Sequence, residues 1–492
     1  MMVVKRSPSS RDDMPTPDKS VVGEKMKTCK SSWEESKLLW HIAFPAILTA
    51  VFQFSIGFVT VGFAGHIGEA ELAAVTVVEN VIEGFSYGVL LGMGSALETL
   101  CGQAVGAGQA DMLGVYIQRS WIICGATALF LSPTYIFTAR ILRALHQPAD
   151  ISAVAGSYTR WVLPQLFAYA ANFPLQKFFQ AQSKVWAMTF ISGASLALHV
   201  ALNYVFVTRL GHGLFGAAMV GNATWCVIIV AQLGYLVSGC FPEAWKGFSV
   251  LAFRNLAAFV RLSLASAVML CLELWYYTAV LILVGLLKNA QLQVDVMSVC
   301  INYQLWTLMV ALGFNAAVSV RVSNELGANR PKAAKFSVVM AVSTSAAIGA
   351  VFLAVFLIWR TELPRFFSNN NEVVSEAAKL GFLLAATIFL NSIQPVLSGV
   401  AIGAGWQSLV AFINIGCYYL VGIPLGVIFG FKLKLGALGI WVGMSIGTLL
   451  QTAVLLIICF RTKWEKQAML AEERIREWGG RSDTLPATTT VA

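Results

Sequence analysis

The stretch MLCLELWYYTAVLILVGLL (residues 269–287) is apolar over its whole length except for one acidic residue, Glu273. A helix that crosses a bilayer needs about 20 predominantly apolar residues, so this run predicts a transmembrane helix. A charged carboxylate at mid-membrane costs about 2.5–3.5 kcal/mol on insertion scales. Because acids in such positions are usually functional, Glu273 is the first candidate for a functional site.

Similar runs recur along the chain of 492 residues, of which 57% are apolar and only 12% are charged. Soluble domains carry about 25% charged residues. We predict an all-α integral membrane protein with twelve transmembrane helices, since a β-barrel would show alternating segments of about ten residues. The predicted spans are 38–62, 72–98, 114–138, 154–178, 185–207, 213–237, 259–287, 295–320, 336–358, 374–402, 408–430 and 436–460.

Polar segments divide the chain. We predict a disordered N-terminal tail over 1–37, a lobe over 38–238, a linker over 239–258, a second lobe over 259–460 and a C-terminal tail over 461–492. The N-terminal tail is rich in Pro and Ser. We expect no cleavable signal peptide, so the first span would act as the insertion signal. In the C-terminal tail we expect a surface helix over 460–478 and disorder over 484–492.

The formal net charge of +9 arises from Lys and Arg in particular segments. Both tails and the loop between the eighth and ninth spans are basic, and an even number of spans places these segments on one side. The positive-inside rule then puts both termini in the cytosol. The charge therefore indicates topology in a lipid bilayer, and we expect no nucleic-acid partner.

The two halves of the chain resemble each other. GHGLFGAAMVGNAT (211–224) aligns with KLGALGIWVGMSIG (434–447) at a shift of 223, and GMGSALETLCGQAVGAGQ (92–109) aligns with GFNAAVSVRVSNELGANR (313–330) at a shift of 221. Each repeat holds six spans, so both halves insert in the same orientation and are related by an axis along the membrane normal. We predict two pseudo-symmetric six-helix lobes around a central cavity, as in an alternating-access transporter.

Motifs for other functions are absent from the sequence. It has no G-x-x-x-x-G-K-[ST] phosphate-binding loop and no H-E-x-x-H, and its nine cysteines include no C-x-x-C pair. We therefore expect no cofactor, no metal site and no enzymatic activity. Transport would draw on an ion gradient or on the gradient of the solute itself.

Three segments carry a family resemblance. ALETLCGQAVGAGQ (96–109), RVSNELGANRPKAAKFSV (321–338) and LSGVAIGAGWQ (397–407) closely resemble the signature segments of plant multidrug and toxic compound extrusion (MATE) transporters, of the detoxification efflux carrier type. The likeness covers all twelve spans. It implies a monomeric antiporter that exports organic solutes in exchange for protons, into the vacuole or out of the cell.

Glu273 occupies the place where this family has its proton-binding glutamate. Protonation removes the cost of burying its charge, so the packing around it can differ between two states. Tyr276 and Tyr277 are the nearest hydrogen-bond candidates on the same helix. A family aspartate in the tenth span is replaced by Asn391, so coupling would rest on Glu273, with Asn391 and Gln394 as hydrogen-bond partners. A glutamate held by a static hydrogen bond is the alternative.

The second span contains AVTVVENVIEGFSYG, in which Glu79 and Glu83 are four residues apart. On an α-helix they would share a face, and two ionised carboxylates there would repel each other. Our hypothesis is that the pair lines the non-cytosolic half of the cavity and favours a cationic or polyhydroxylated solute. The alternative is that Glu79 meets water near the membrane surface.

Two further groups of polar residues are candidates. We expect a first group to line the cavity, where aromatic rings suit flat solutes: Gln53, Asn302 and Trp306. We expect a second group to lie at gates or hinges at the cytosolic ends of the second and eighth spans: Glu98, Gln103, Asn324, Glu325 and Arg330. Interhelical or capping contacts without a transport role are the alternative for each.

The function we predict is proton-coupled export of plant specialised metabolites, such as flavonoid or other glycosides or alkaloids. We favour the vacuolar membrane over the plasma membrane. A passive anion channel on the same scaffold is one alternative, and an organic-acid exporter at the plasma membrane is another. Glu273 by itself does not distinguish protons from sodium ions.

Overall fold

The computed structural model describes residues 19–254, 256–287, 290–366 and 370–478, and within these ranges the regular structure is helical, without strands. In the first half the helices are α1 (Lys19–Ile67), α2 (Glu69–Val77), α3 (Gly84–Gly106), α4 (Leu113–Ile136), α5 (Thr138–Ala144), α6 (Ala149–Ala181), α7 (Val185–Asn203) and α8 (Gly213–Val237). In the second half they are α9 (Leu256–Gly285), α10 (Ala290–Gly327), α11 (Pro331–Ile358), α12 (Asn371–Ala404), α13 (Gln407–Asn414), α14 (Ile423–Val427), α15 (Gly436–Arg461) and α16 (Trp464–Glu477).

Several of these helices are joined into continuous rods by π-helical turns. The turns are Val78–Glu83 between α2 and α3, Tyr204–Arg209 after α7, Ile415–Gly422 between α13 and α14, and Ile428–Lys432 after α14. Counting each rod once, eleven segments in the described part of the chain are long and apolar enough to span a membrane. They agree with eleven of the predicted spans and confirm an all-α membrane protein.

The remaining predicted span, 154–178, corresponds to α6. Its 33 residues are long enough to cross a bilayer, but it is not among the segments apolar enough to qualify. Many of its polar side chains, among them Gln165, Asn172 and Gln176, are buried. Because α6 packs against α3, α4 and α8 inside the first lobe, its polar groups face protein and not lipid.

The N-terminal tail differs from the prediction. Helix α1 begins at Lys19, so the expected disorder is wrong for residues 19–37, and residues 1–18 lie outside the described part of the chain. The physical reason is that this extension has a partner. Glu35 is buried, pairs with Arg321 through two bonds of 2.9 and 3.0 Å, and accepts a bond of 2.6 Å from Ser337.

Three other segments were assigned outside the lobes. The linker is irregular and contains a short 3₁₀ helix, Val250–Phe253. The predicted surface helix is present as α16, although Trp464, Ala468, Ala471 and Ile475 along one side of it are buried. The segment 484–492, for which we predict disorder, lies outside the described residues.

The internal repeat is visible in the backbone. Residues with positive φ, which L-residues other than Gly rarely adopt, occur in pairs at nearly the shifts read from the sequence. The pairs are Gly108 (72°) with Asn329 (55°), Ser183 (58°) with Gly405 (80°), Gly211 (66°) with Lys434 (57°), and Gly213 (56°) with Gly436 (60°). The shifts are 221, 222, 223 and 223, so the chain turns at corresponding points in both halves.

The two lobes meet most closely where α3 crosses α10. A Cβ added at Gly106 would collide with the carbonyl oxygen of Asn324, and one added at Gly327 would collide with that of Gln103. These contacts are related by the shift of 221, so the crossing lies on the pseudo-two-fold axis. The glycines of the signature segments therefore permit direct contact between two helix backbones. We call the face at which α3 and α10 end, and on which α16 lies, the α16 face.

Away from the crossing, two further pairs of helices form the seam between the lobes. In the pair α3 and α9, Gly92 lies against Ala267, and Phe85 stacks on Trp275 with 5.6 Å between ring centroids. In the pair α1 and α10, Trp40 packs edge-on against Phe314 at 5.0 Å, and Phe54 lies 6.1 Å from Trp306. Small residues and aromatic rings together fill the seam.

The variant Gly327→Ala tests the crossing. Its Cβ would press on the backbone of α3, and overpacking of this kind costs about 1–3 kcal/mol, so we expect a lower thermal unfolding midpoint in detergent. Gly125→Ala is the matched control, because nothing lies within 4 Å of a Cβ built there and Ala is the better helix former. Equal midpoints for the two variants would contradict the close crossing.

Candidate functional site

The Glu273 carboxylate points from the middle of α9 toward α12 and α13. Its Oε1 atom accepts three hydrogen bonds: 3.1 Å from Gln394 Nε2, 3.0 Å from Ser398 Oγ and 3.3 Å from Asn414 Nδ2. Gln394 and Ser398 lie one turn apart on α12, so a single helix face supplies two donors. These partners are amides and a hydroxyl, which solvate the carboxylate without neutralising a negative charge.

A second set of contacts fixes the orientation of Asn414. Its Oδ1 accepts a bond of 2.8 Å from Gln451 of α15, while its Nδ2 also donates 3.2 Å to the carbonyl of Met269. Gln451 in turn accepts 2.9 Å from the hydroxyl of Tyr418. Because the Asn414 oxygen is already occupied, its amide nitrogen must face Glu273. The site is therefore organised by four helical segments of the second lobe.

Of the side chains predicted to surround Glu273, only Gln394 contacts it directly. Asn391 instead accepts a bond of 3.2 Å from the hydroxyl of Tyr277. Tyr276 is fully buried, donates 3.1 Å to the carbonyl of Met444 and stacks on Tyr418 at 4.3 Å. The expectation that Tyr276 is a hydrogen-bond partner of Glu273 is wrong, because its position on α9 directs the ring into the core against α15.

Four residues of this cluster were not predicted from the sequence: Ser398, Asn414, Gln451 and Tyr418. Ser398 stands within the quoted segment LSGVAIGAGWQ, four residues after Gln394, and this spacing could have identified it. The other three lie on different helices, whose relative rotation is set only by packing. No local pattern around them distinguishes them from other polar residues in the spans.

The first lobe contains a neutral counterpart of this site. Gln53 of α1 accepts a bond of 2.7 Å from Gln176 Nε2 of α6 and donates 3.3 Å to Ser192 Oγ of α7. Gln176 and Ser192 precede Ser398 and Asn414 by 222 residues each, and Gln53 precedes Glu273 by 220. Gln53, predicted to line the cavity, is buried in this cluster. An amide thus stands where the second lobe has an acid.

The other predicted cavity residues lie elsewhere. Trp306 is 42% exposed at the seam beside Phe54. Asn302, one turn before it on α10, is also exposed and donates 2.9 Å to the carbonyl of Ser298 in its own helix. Neither side chain has a described hydrogen bond to the Glu273 cluster.

Glu79 and Glu83 lie at the start and end of the π-helical turn Val78–Glu83. The assumption of a regular α-helix there is wrong, and turns of this type often occur at functional sites. The two carboxyls still interact electrostatically, and both residues are half-buried. The buried Oε1 atom of Glu83 lacks a hydrogen-bond partner among the described residues.

Three of the predicted gate residues, Glu98, Glu325 and Arg330, form ion pairs. Glu98 is fully buried and pairs with Lys177 of α6 at 2.6 Å, so it holds two helices of one lobe together and does not bridge the lobes. Glu325 pairs with Arg321 at 2.7 Å and, more loosely, with Arg330 at 3.8 Å. These ion pairs secure helix ends on the α16 face.

Gln103 and Asn324 lie at the crossing itself. Their backbone carbonyls meet Gly327 and Gly106 respectively, and Gln103 Nε2 donates 3.2 Å across the seam to the carbonyl of Gly403. Thr99, one turn earlier on α3, bonds the carbonyl of Ile402. The crossing thus joins α3 to both α10 and α12. Within the described ranges, no three His, Cys, Asp or Glu side chains are grouped to hold a metal ion.

The chain is similar in sequence to known proteins. The MatE family model matches residues 45–205 and 265–428, two segments whose starts and ends are 220 and 223 residues apart. Protein DETOXIFICATION 29 of Arabidopsis thaliana is 54% identical over 446 residues, which cover 91% of this chain and 89% of that protein. Protein DETOXIFICATION 33 of the same plant is 52% identical, with 92% and 93% covered.

Solved structures of other transporters have a similar fold. The crystal structure of the eukaryotic MATE transporter AtDTX14 superposes with a TM-score of 0.86 at 32% identity, covering 90% of this chain and 99% of that one. The Vibrio cholerae MATE transporter VcmN in its bent form gives 0.77 at 17% identity, covering 90% and 99%, which shows a shared fold.

The hydrogen bonds around Glu273 predict different thermal stabilities for two variants. Asn414→Leu removes a donor to Glu273 and leaves Gln451 Nε2 and the Met269 carbonyl without this partner, a loss of about 1–3 kcal/mol per buried group. Glu273→Gln keeps an oxygen for the same donors, so its thermal midpoint in detergent should stay near that of the native protein. A loss in Glu273→Gln as large as that in Asn414→Leu would show that the charge itself stabilises the fold.

Proposed function

The chain belongs to the MatE family of membrane transporters, and we propose that this detoxification-type exporter exchanges protons for organic solutes, with Glu273 as the proton site. The observation that carries the proposal is the environment of that carboxyl. It lies within a membrane-spanning helix, and its described hydrogen-bond partners are Gln394, Ser398 and Asn414. An acid without a cationic partner in a bilayer carries a cost that gaining a proton removes.

Helix α12 provides a route from protonation to movement. Gln394 and Ser398, which bind Glu273, flank Pro395, and a proline inside a helix removes a backbone hydrogen bond and permits a bend. The carbonyl of Pro395 accepts a bond of 2.6 Å from Asn315 of α10. Loss of charge on Glu273 would weaken the bonds from α12, so that α12 can change its bend relative to α9 and α10.

The neutral cluster of the first lobe supports coupling through the second lobe. Gln53 resembles a glutamate that always carries its proton, since its amide accepts and donates hydrogen bonds without charge. Its bonds to Gln176 and Ser192 do not depend on pH in the physiological range. We therefore propose that the first lobe moves as a body whose packing is constant through the cycle.

The seam suggests the solute class. Phe54, Phe85, Trp275 and Trp306 form two aromatic pairs between the lobes, and such surfaces suit flat ring systems. With Glu79 and Glu83 in the first lobe, we propose glycosylated flavonoids, alkaloids or similar plant metabolites as solutes. The basic residues near the helix ends, such as Arg321 and Arg330, favour a cytosolic α16 face, so export would proceed into the vacuole or out of the cell.

The test uses proteoliposomes with an imposed pH gradient and a panel of flavonoid glycosides, alkaloids and organic acids. We expect at least one solute to collapse the gradient and Glu273→Gln to abolish that collapse. Glu376→Gln is the matched control, because Glu376 is a surface acid paired with Lys379. Solute or anion flux that persists in Glu273→Gln and follows voltage would refute proton exchange and indicate a channel.

The acid pair in the first lobe makes a separate prediction in the same assay. If Glu79 and Glu83 attract cationic solutes, Glu83→Gln should raise KM about tenfold for a cationic alkaloid, equivalent to about 1.4 kcal/mol, and leave KM for a neutral glycoside unchanged. Equal effects on both solutes would show that Glu83 affects the fold or the cycle and not solute choice.

A further inference from the structure

The C-terminal helix α16 contacts both lobes on the α16 face. It packs against α3 of the first lobe and against α10 and α11 of the second. At its N-terminal end, Trp464 lies against Trp406 with 5.9 Å between rings, and Gln467 accepts 3.0 Å from Trp406 Nε1. Just beyond its C-terminal end, Trp478 packs on Phe259 at 5.5 Å, and its carbonyl accepts 3.4 Å from Arg119.

One side chain of α16 reaches into the junction between the lobes. Arg474 Nη1 donates 2.9 Å to Gln103 Oε1 of α3. On its other side the guanidinium lies against Gly405 at the end of α12, since a Cβ built at Gly405 would be 2.6 Å from Nη2. Gly405 has a φ of 80°, so this position both favours glycine and leaves room for the guanidinium.

The electrostatics of this position favour a cation. Gln103 lies in the last turn of α3 and Gly405 caps α12, while the end of α10 at Gly327 touches the Gln103 backbone. Helix C-termini carry partial negative charge, and here three of them converge from two lobes. Burial lowers the pKa of Arg474, and Glu477 one turn later opposes that shift. The charge is therefore held at the place where the lobes must separate.

The contact also breaks the symmetry of the crossing. Asn324 is the counterpart of Gln103 at the shift of 221, and its Oδ1 is buried without a hydrogen-bond partner among the described residues. The equivalent oxygen of Gln103 is satisfied by Arg474. Within the repeat, neither the Gln103 oxygen nor the Asn324 oxygen thus has a donor. Helix α16, which lies outside the repeat, supplies a donor to Gln103 alone.

We propose that Arg474 is a positioning residue of the gate at the α16 face, and that α16 acts as a latch which holds this face closed. Opening of the face requires α3 to move away from α10 and α12, which breaks either the Arg474–Gln103 bond or the contact with Gly405. The proposal rests on alternating access in the proposed function, but it concerns the closed gate and not the proton site.

The experiment measures distances between spin labels by double electron–electron resonance in the full chain. Labels at Asp111→Cys and Lys332→Cys report on the α16 face, because these exposed positions are related by the shift of 221. Labels at Arg143→Cys and Arg365→Cys report on the opposite face. The exposed Cys226 and Cys240 and the N-terminal Cys29 are changed to serine.

We expect Arg474→Gln to raise the fraction of long distances between positions 111 and 332 several-fold and to shorten those between 143 and 365. Gln103→Ala should act in the same direction. Arg474→Lys, which keeps the charge but not the planar fork, should resemble the native protein more closely than Arg474→Gln does. Arg476→Gln is the matched control, because Arg476 is an exposed cation on the same helix.

Identical distance distributions for Arg474→Gln and Arg476→Gln would overturn the proposal. A lower unfolding midpoint in Arg474→Gln without any shift in distance would also overturn it, since that result assigns Arg474 a structural role alone. The measurement needs neither solute nor pH gradient. Failure of the Glu273→Gln transport test would therefore refute proton exchange without changing the result at the gate.

Discussion

A bilayer provides no hydrogen-bond partners, so every polar group within the spans of this chain must find a partner inside the protein. This constraint explains where the polar residues lie. Many polar side chains of helix α6 are buried, and the helix packs against α3, α4 and α8. Glu98 is satisfied by Lys177 within the same lobe. A buried polar group without a fixed, charge-balancing partner is therefore a candidate for function.

In the second lobe, Glu273 is an acid inside a span without a charged partner among the described residues. Three neutral donors hold its carboxyl without cancelling its charge, and the same position in the first lobe is occupied by the amide of Gln53. Comparison of the two lobes separates scaffold from function, because the partners Gln176 and Ser192 of the first cluster stand at the positions of Ser398 and Asn414 in the second. The second lobe differs by one titratable group, and that group lies beside Pro395, where α12 can bend.

The closed face depends on a different physical feature. Gly106 and Gly327 permit backbone contact between α3 and α10, which small residues alone allow, and the helix ends that converge there leave oxygen atoms that need donors. A cation from α16 meets one of these needs. The lobes are thus held together by side chains other than those that bind Glu273, so gate and proton site can be altered separately.

Much of this organisation was predictable. Runs of apolar residues fix the number and position of the spans, because bilayer thickness sets helix length, and two nearly equal shifts in the sequence revealed the repeat. Glu273 and Gln394 were identified from their residue types and the family pattern. The prediction was wrong where a distant partner decides local structure: residues 19–37 are helical because Glu35 meets Arg321, and Tyr276 is a core residue because its side of α9 faces α15.

The sequence by itself determined that this chain is a two-lobe membrane protein with an acid inside a span, since both properties follow from local composition and periodicity. Only the tertiary structure decided what surrounds that acid and what closes the gate. Ser398, Asn414 and Gln451 reach one cluster, and Arg474 reaches Gln103 from 371 residues away, because the rotation and crossing of packed helices bring distant positions together. Those angles depend on the fit of whole surfaces, which no local stretch of sequence contains.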